Sequence, residues 1–462
     1  MTAQPIDRPL DEDALRDAVA REMPRAQADL EALVRVPTVS SEPARAAEVR
    51  RACDMAAALA SEAGAAEVRV VAAGGQPAVI ARWPAPDSAP TVLLYAHLDV
   101  QPTGPDGAWT TPPFQPTERD GRLYGRGAAD DKAGVVMHLA VLRAFGGRPP
   151  VGVTLFLEGE EEIGSPTLTT LLAEHAELLR ADVIVIADSG NPSVDVPAFT
   201  TSLRGFADAT VEVRVLESAV HSGVYGGAVP DALSVLCRLL ATLQDDAGDV
   251  AIAGLVSSTS DAPDPGDEEL RSAAGVLDGV SLIGTGSLPE RLWHKPAVAV
   301  LGMDAPSTAQ VSNVLLPRAR AMVSLRLAPS QDENAAMEAL QTHLEAHAVW
   351  GCQVEVVPNS LGAGFSPETS GAVYDLAREA FGSAYGNAAV EIGTGGSIPF
   401  IAEFARAFPG AAVLVTGVGD PESRWHGIDE SLHLAMWQRA CLAETLLLHR
   451  LAGQSPVGPS SL

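Results

Sequence analysis

The 462-residue sequence is poor in cysteine. Cys53, Cys237, Cys352 and Cys441 lie far apart and none forms a C-x-x-C pair, which excludes thiolate zinc ribbons and dithiol redox motifs. Sparse cysteine in a chain of this length suits a reducing compartment. Aromatic residues make up only 5%, so Ala, Val and Leu must fill the interior, and an apolar fraction of 47% is ample for that. Basic residues are outnumbered, 31 Lys and Arg against 59 Asp and Glu, for a formal net charge of −28. Such a surface repels phosphate backbones, so nucleic acid is not an expected partner. No apolar run reaches about 18 residues, so no membrane-spanning helix is expected. The opening MTAQPIDRPLDEDALRD has no apolar core after a basic start, so no secretory signal is expected there. A cytoplasmic location is the expectation.

What is present is an alternation of helical and strand patterns. Residues 11–34 and 43–63 read as helices. Short β-branched runs follow at 68–71, 79–82 and 91–96, and Asp120-Gly121 marks a hairpin turn. A helix is expected over 132–145, buried strands at 151–157 and 183–187, and a helix at 167–179. This predicts an α/β domain whose mostly parallel central sheet is flanked by helices. The texture changes near Ser202. Residues 206–216 and 319–328 alternate apolar and polar residues, as half-exposed strands do. A helix follows Pro230, 245–295 is loop-rich with one short helix, and 297–302 reads as a strand. A helix at 332–348 and a strand at 352–357 complete an inserted α+β unit. Helices at 370–381 and from near Ser397, a strand at 411–416 and a helix at 429–450 return to the first texture. The expected division is 1–202 and 366–462 for a catalytic domain, with 203–365 as an inserted lid or dimerisation domain.

The chemistry gathers at predicted strand ends. YAHLDVQP puts His97 and Asp99 after an apolar strand, on the same side of it. At the carboxyl end of a parallel sheet that side opens into the crevice where such folds bind ligands. GRGAADDKAG lacks the last glycine of a dinucleotide fingerprint and the Gly-Lys-Ser/Thr of a phosphate loop. Its Asp130 and Asp131 can cap the next helix, or Asp130 can bridge metals. FLEGEEEIGS runs a buried strand into Glu158, Glu160, Glu161 and Glu162, and such acids repel one another unless a cation neutralises them. VIVIADSGN ends a strand at Asp188, and WHGIDE carries His426 and Glu430. Imidazoles mixed with carboxylates are what catalytic zinc uses, and a close metal pair needs one bridging acid with end ligands on either side. His138, His175, His343, His347, His433 and His449 fall in helical stretches and read as bystanders.

These motifs resemble the co-catalytic zinc peptidase family that includes carnosinase-like dipeptidases, glutamate carboxypeptidase, aminoacylase and succinyl-diaminopimelate desuccinylase. The resemblance covers nearly the whole chain. YAHLDVQP, LYGRGAADDK, EGEEEIGS, SLRG, HSGVYGG, SLRLAP and GGSIP place it nearest the cytosolic nonspecific dipeptidase and carnosinase branch. The resemblance implies a hydrolase of dipeptides or very short peptides with two Zn²⁺ per chain, Mn²⁺ or Co²⁺ being alternatives. It implies that His97 and Asp188 hold one ion, Glu162 and His426 the other, and that Asp130 bridges them. Glu161 is implied as general base and acid, with Asp99 orienting His97. It implies a homodimer through the lid, in which His221 stabilises the oxyanion in the partner's site. Arg326 and Asn313 are implied to bind the substrate's carboxylate and backbone, and Gly396 and Ser397 to line the cleft. Aspartate at 188 looks like the aminopeptidase and dipeptidase branches, where deacylases carry glutamate. A deacylase, desuccinylase or carbamoylase on the same scaffold is the alternative. NSLGAGFSPETSG lacks the histidine that animal carnosinases carry there, which argues against carnosine as substrate.

Overall fold

The computed structural model of the chain describes residues 11–454 apart from 87, 106, 261, 368 and 396–398. The fold separates into two compact units. One comprises Met1–Thr200, Glu368–Glu391 and Glu403–Leu462, and the other Thr201–Pro367 with Ile392–Ala402. The second unit is therefore made from two stretches of chain, because residues 392–402 return to it.

The first unit is built on a six-stranded sheet in the order Glu67–Val71, Ala78–Trp83, Gly152–Glu158, Thr91–His97, Val183–Ile186, Ala412–Val415. The last four run parallel, and the first two form an antiparallel edge. The central strands are buried along almost their whole length, as expected of apolar runs covered on both faces. Helices Glu12–Val34, Lys132–Ala144 and Leu434–Leu451 pack together over the sheet. Lys132–Ala144 is buried from Lys132 through Arg143, so it is a core helix rather than an amphipathic one.

A second, three-stranded antiparallel sheet decides the geometry of the site. Arg122–Tyr124 sits between Thr117–Arg119 and Ser431–His433. The first pairing is the hairpin expected at Asp120-Gly121, where Asp120 has φ 50° and Gly121 φ 76°. The second pairing corrects an expectation. The final helix starts at Leu434 and not at residue 429, because Ser431, Leu432 and His433 pair with Tyr124, Leu123 and Arg122. His433 then caps the helix, its Nδ1 accepting the Met436 N–H at 3.2 Å. The helix expected over 167–179 is two, Leu168–Glu174 and Ala176–Leu179, broken where His175 leaves helical geometry (φ −115°, ψ 20°).

The second unit is a four-stranded antiparallel sheet in the order Ala297–Asp304, Arg318–Leu327, Gly205–Arg214, Gln353–Gly362. Helices Ala232–Ala241 and Glu333–Ala346 cover one face. Ala207, Ala209, Val211, Val323, Leu325, Leu236 and Leu340 form its core, and the alternation of Gly205–Arg214 leaves its other side chains partly exposed. Asp231 and Asp332 cap the two helices, accepting the N–H of Ser234 at 2.9 Å and of Ala335 at 2.8 Å. No helix among the described residues is long and apolar enough to cross a membrane.

Candidate metal centre and active site

All four parallel strands of the first unit deliver chemistry at their carboxyl ends. His97 ends Thr91–His97, Glu161 and Glu162 follow Gly152–Glu158, Asp188 follows Val183–Ile186, and the loop carrying His426 follows Ala412–Val415. Asp130 comes from the loop after Arg122–Tyr124, whose pairing with Ser431–His433 brings that loop beside the His426 loop.

Asp130 is the centre of the arrangement. Its Oδ1 lies 3.1 Å from His97 Nε2 and its Oδ2 lies 3.1 Å from His426 Nε2. Around His97 Nε2 stand Asp188 Oδ1 at 3.8 Å and Glu161 Oε2 at 3.9 Å. Around His426 Nε2 stands Glu162 Oε2 at 3.3 Å. Ligand atoms of His97, Asp130 and Glu162, and again of His97, Glu161 and Asp188, lie within 4.8 Å of one another. The peptide between Asp130 and Asp131 is cis.

The supporting residues separate acids that spacing alone leaves equivalent. Asp99 is fully buried, and its carboxylate accepts the N–H of Glu161 at 3.1 Å and of Glu162 at 3.0 Å. Its carbonyl faces His97 Nδ1 at 3.1 Å, which fixes the ring so that Nε2 points into the site. Glu158 accepts the Tyr95 hydroxyl at 2.7 Å. Glu160 accepts the N–H of Gln76 and of Thr167, both at 2.8 Å, and the Thr167 hydroxyl. Glu158 and Glu160 are thus tied to neighbours, while a 3₁₀ turn at Glu161–Ile163 breaks the strand alternation and sends both Glu161 and Glu162 to the site. Asp131 does not cap the helix that follows it; its Oδ2 accepts the His97 N–H at 3.2 Å.

Two residues given no role on sequence grounds are part of this support. Gln101 donates from Nε2 to Glu162 Oε2 at 2.8 Å and from its backbone N–H to Oε1 at 3.1 Å. Glu430 is fully buried and takes four donors. They are Arg126 Nη1 at 2.7 Å and the N–H groups of Gly127 at 2.9 Å, Ala129 at 2.9 Å and Asp130 at 3.1 Å. Arg126 also donates to the Gly427 carbonyl at 3.0 Å. One ion pair thereby fastens the Asp130 loop to the His426 loop.

The protonation equilibria are strongly displaced. Burial pushes Asp188 up to about 7, with Asp130 and Glu162 adding to the rise. Burial also drives Glu161 well above the carboxylate range. Burial opposes ionisation of Asp130, but hydrogen bonds from His426 and His97 outweigh it and hold its carboxyl low. His426 is pushed up to about 10 by its hydrogen bonds to Asp130 and Glu162. Burial works against the charged form of His97, but hydrogen bonds to Asp130 and Asp99 hold it well above its ordinary value. Crowded carboxylates that hold imidazoles in their charged form have the chemistry of a site for divalent cations. The donor set is nitrogen and oxygen without thiolate, which suits Zn²⁺, Mn²⁺ or Co²⁺.

Of the remaining expected site residues, His221, Asn313 and Arg326 lie in the second unit. His221 pairs with Val314 in a short ladder next to Asn313, and its exposed ring accepts the Gly223 N–H at 3.0 Å. Arg326 is exposed on Arg318–Leu327, its guanidinium 5.9 Å from the Phe206 ring centre. Gly396 and Ser397 lie outside the described residues. Several of the histidines read as bystanders have partners of their own. His138 is buried between Glu444, at 2.9 Å, and the Tyr95 carbonyl, and His343 stacks on His347.

A model of the family described as Peptidase family M20/M25/M40 matches residues 93–449. A cysteinylglycine-S-conjugate dipeptidase of Corynebacterium striatum is 38% identical over 367 residues, 78% of this chain and 81% of that protein. The Cys-Gly metallodipeptidase dug1 of Schizosaccharomyces pombe is 26% identical over 402 residues, 82% of this chain and 84% of that protein. Among solved structures, human carnosine dipeptidase 1 superposes with a TM-score of 0.78 at 24% identity, covering 97% of this chain and 100% of that one. That likeness shows the fold.

Proposed function

Because the chain belongs to peptidase family M20/M25/M40, we propose that it is a metal-dependent dipeptidase that cleaves the peptide bond of dipeptides and very short peptides. Its relatives are named for dipeptides, including Cys-Gly and its S-conjugates. The observation that carries the reading is the division of Asp130, one carboxylate oxygen toward each imidazole at 3.1 Å. That is the arrangement of an acid shared by two ions. His97 and Asp188 would hold one zinc and Glu162 and His426 the other, with Asp130 available to both.

Bound zinc supplies Lewis acidity and makes hydroxide available near neutral pH. Everything else falls to the chain. Glu161, its N–H fixed on Asp99, takes the proton of the attacking water and returns it to the leaving amine. Asp99 orients His97. Arg326 is assigned to the substrate carboxylate through its fork of donors, and Asn313 to its backbone. A carboxylate anchor one residue from the scissile bond restricts substrates to very short peptides. His221 stabilises the oxyanion, acting across a homodimer. An unpaired sheet edge supports that dimer: Ala297–Asp304 is an edge strand of the second unit and exposes Val300, Leu301 and Met303. Four free cysteines agree with a cytoplasmic location.

The test is hydrolysis of dipeptides beside N-acyl amino acids by purified protein. Dipeptide cleavage should vanish with a chelator and return with Zn²⁺ or Mn²⁺. Cleavage of N-acyl amino acids in preference to dipeptides would overturn the reading.

A further inference from the structure

Large apolar side chains are exposed at few places on the first unit. Among its described residues they are Ile163 at 41%, Trp425 at 43% and Ile428 at 42%. All three sit beside the metal-site residues. Ile163 follows Glu162, Trp425 precedes His426, and Ile428 is two residues beyond it. Scattered exposed apolar residues need no explanation, but these are confined to the two segments whose Glu162 and His426 approach to 3.3 Å.

Trp425 is held in place deliberately. Its indole lies against the backbone of Gly190 and Gly419. A Cβ at Gly419 would meet Cζ2 at 1.7 Å, and one at Gly190 would meet Cη2 at 2.4 Å. Gly190 follows Asp188 by two residues and pairs with Gly419 in a β-bridge. The ring therefore spans the Asp188 and His426 segments on a floor cleared of side chains. It is fixed like a core residue yet leaves nearly half its surface open. An aromatic in that position is built for contact with a ligand.

We propose that Trp425 seats the side chain of the substrate residue lying beside the metal site and selects bulky apolar groups there. This rests on the dipeptidase reading.

Two measurements on the full-length, metal-loaded protein separate this proposal from the reading beneath it. The first is the affinity of L-leucine hydroxamate against glycine hydroxamate, which share a chelating group and require no cleavage. In the unsubstituted protein the leucine compound should bind about tenfold tighter. Trp425→Ala should reduce that ratio to within about twofold, and Ile428→Ser should lower it about threefold. The second is the ratio of kcat/KM for Leu-Gly over Gly-Gly, which should fall with the same variants by similar factors. Equal binding of the two hydroxamates, or a ratio unmoved in Trp425→Ala, overturns the seat. If dipeptides are not cleaved but the hydroxamate ratio responds, the dipeptidase reading falls and the apolar seat stands. Should Trp425→Ala misfold, Trp425→Phe and Ile428→Ser carry the same comparison, and a ratio unmoved in both overturns it.

Discussion

The two imidazoles that face Asp130 are held in opposite ways. The His97 side chain ends a central strand, is 1% exposed, and has its second nitrogen locked on the Asp99 carbonyl. The His426 side chain is 58% exposed on a loop. His426 has φ 58°, and Arg424 at 54° and Asp429 at 57° share the left-handed region. Each such residue costs on the order of 1–3 kcal/mol and persists only where surroundings over-determine it. The surroundings here are identifiable. Thr110 donates its N–H at 2.9 Å and its hydroxyl at 2.7 Å to Asp429, and Arg126 and Glu430 fasten the loop from inside. One half of the site is thus set by a sheet, and the other by pins on a strained loop.

The contrast can be broken or sharpened by substitution. The largest effect is expected at Glu161, the proposed general base. Glu161→Gln should lower kcat by about 10²–10⁴-fold while metal analysis still finds both ions. Next comes metal content itself. Asp130→Ala should strip both ions, whereas His426→Ala should lose only the loop-side ion, read by elemental analysis after dialysis. Loss of both ions from His426→Ala would show that the sheet side does not stand alone. Glu430→Gln should weaken loop-side metal affinity by about 10–100-fold and the sheet side less, seen as a widened gap between two phases of a Zn²⁺ titration. Equal weakening of both would end the asymmetry.

The smallest effect reports on the sheet side alone. Burial pushes Glu158 from 4.5 up to about 7, so between those values the folded protein binds more protons than the unfolded chain. Its contribution to stability therefore falls as pH rises from 4.5 to 7, and the penalty is full above 7. Glu158→Gln keeps a neutral acceptor for Tyr95. In metal-free protein it should gain roughly 1–3 kcal/mol over the unsubstituted chain above pH 7 and nothing below pH 4.5. Denaturant unfolding at both pH values checks this.

The same division explains what could be read from sequence. The sheet side was legible because buried strands announce themselves as apolar runs, and the polar residue ending each run has to open into the crevice. His97, Asp188 and the glutamate cluster follow from that. Telling Glu161 and Glu162 from Glu158 and Glu160 was beyond the pattern, because a 3₁₀ turn replaces the strand alternation at that point. Gln101 is a neutral amide with nothing in its local sequence to mark it. Glu430 stood beside His426 in the sequence, but its partners are N–H groups 300 residues away, and no periodicity encodes such a contact. The start of the last helix was misplaced for a related reason: a three-residue strand yields to its pairing partner, not to its own propensity.

The pairing of Arg122–Tyr124 with Ser431–His433 also fixes when the site can exist. During synthesis the strand ends carrying His97, Asp130, Glu162 and Asp188 leave the ribosome long before His426 does. Up to that point the nascent chain presents a one-sided cluster of acids, and the Asp130 loop has no Glu430 to accept its N–H groups. Closing so long a loop is slow compared with local folding. The two halves of the site therefore meet only when the returning strand docks, near the end of synthesis.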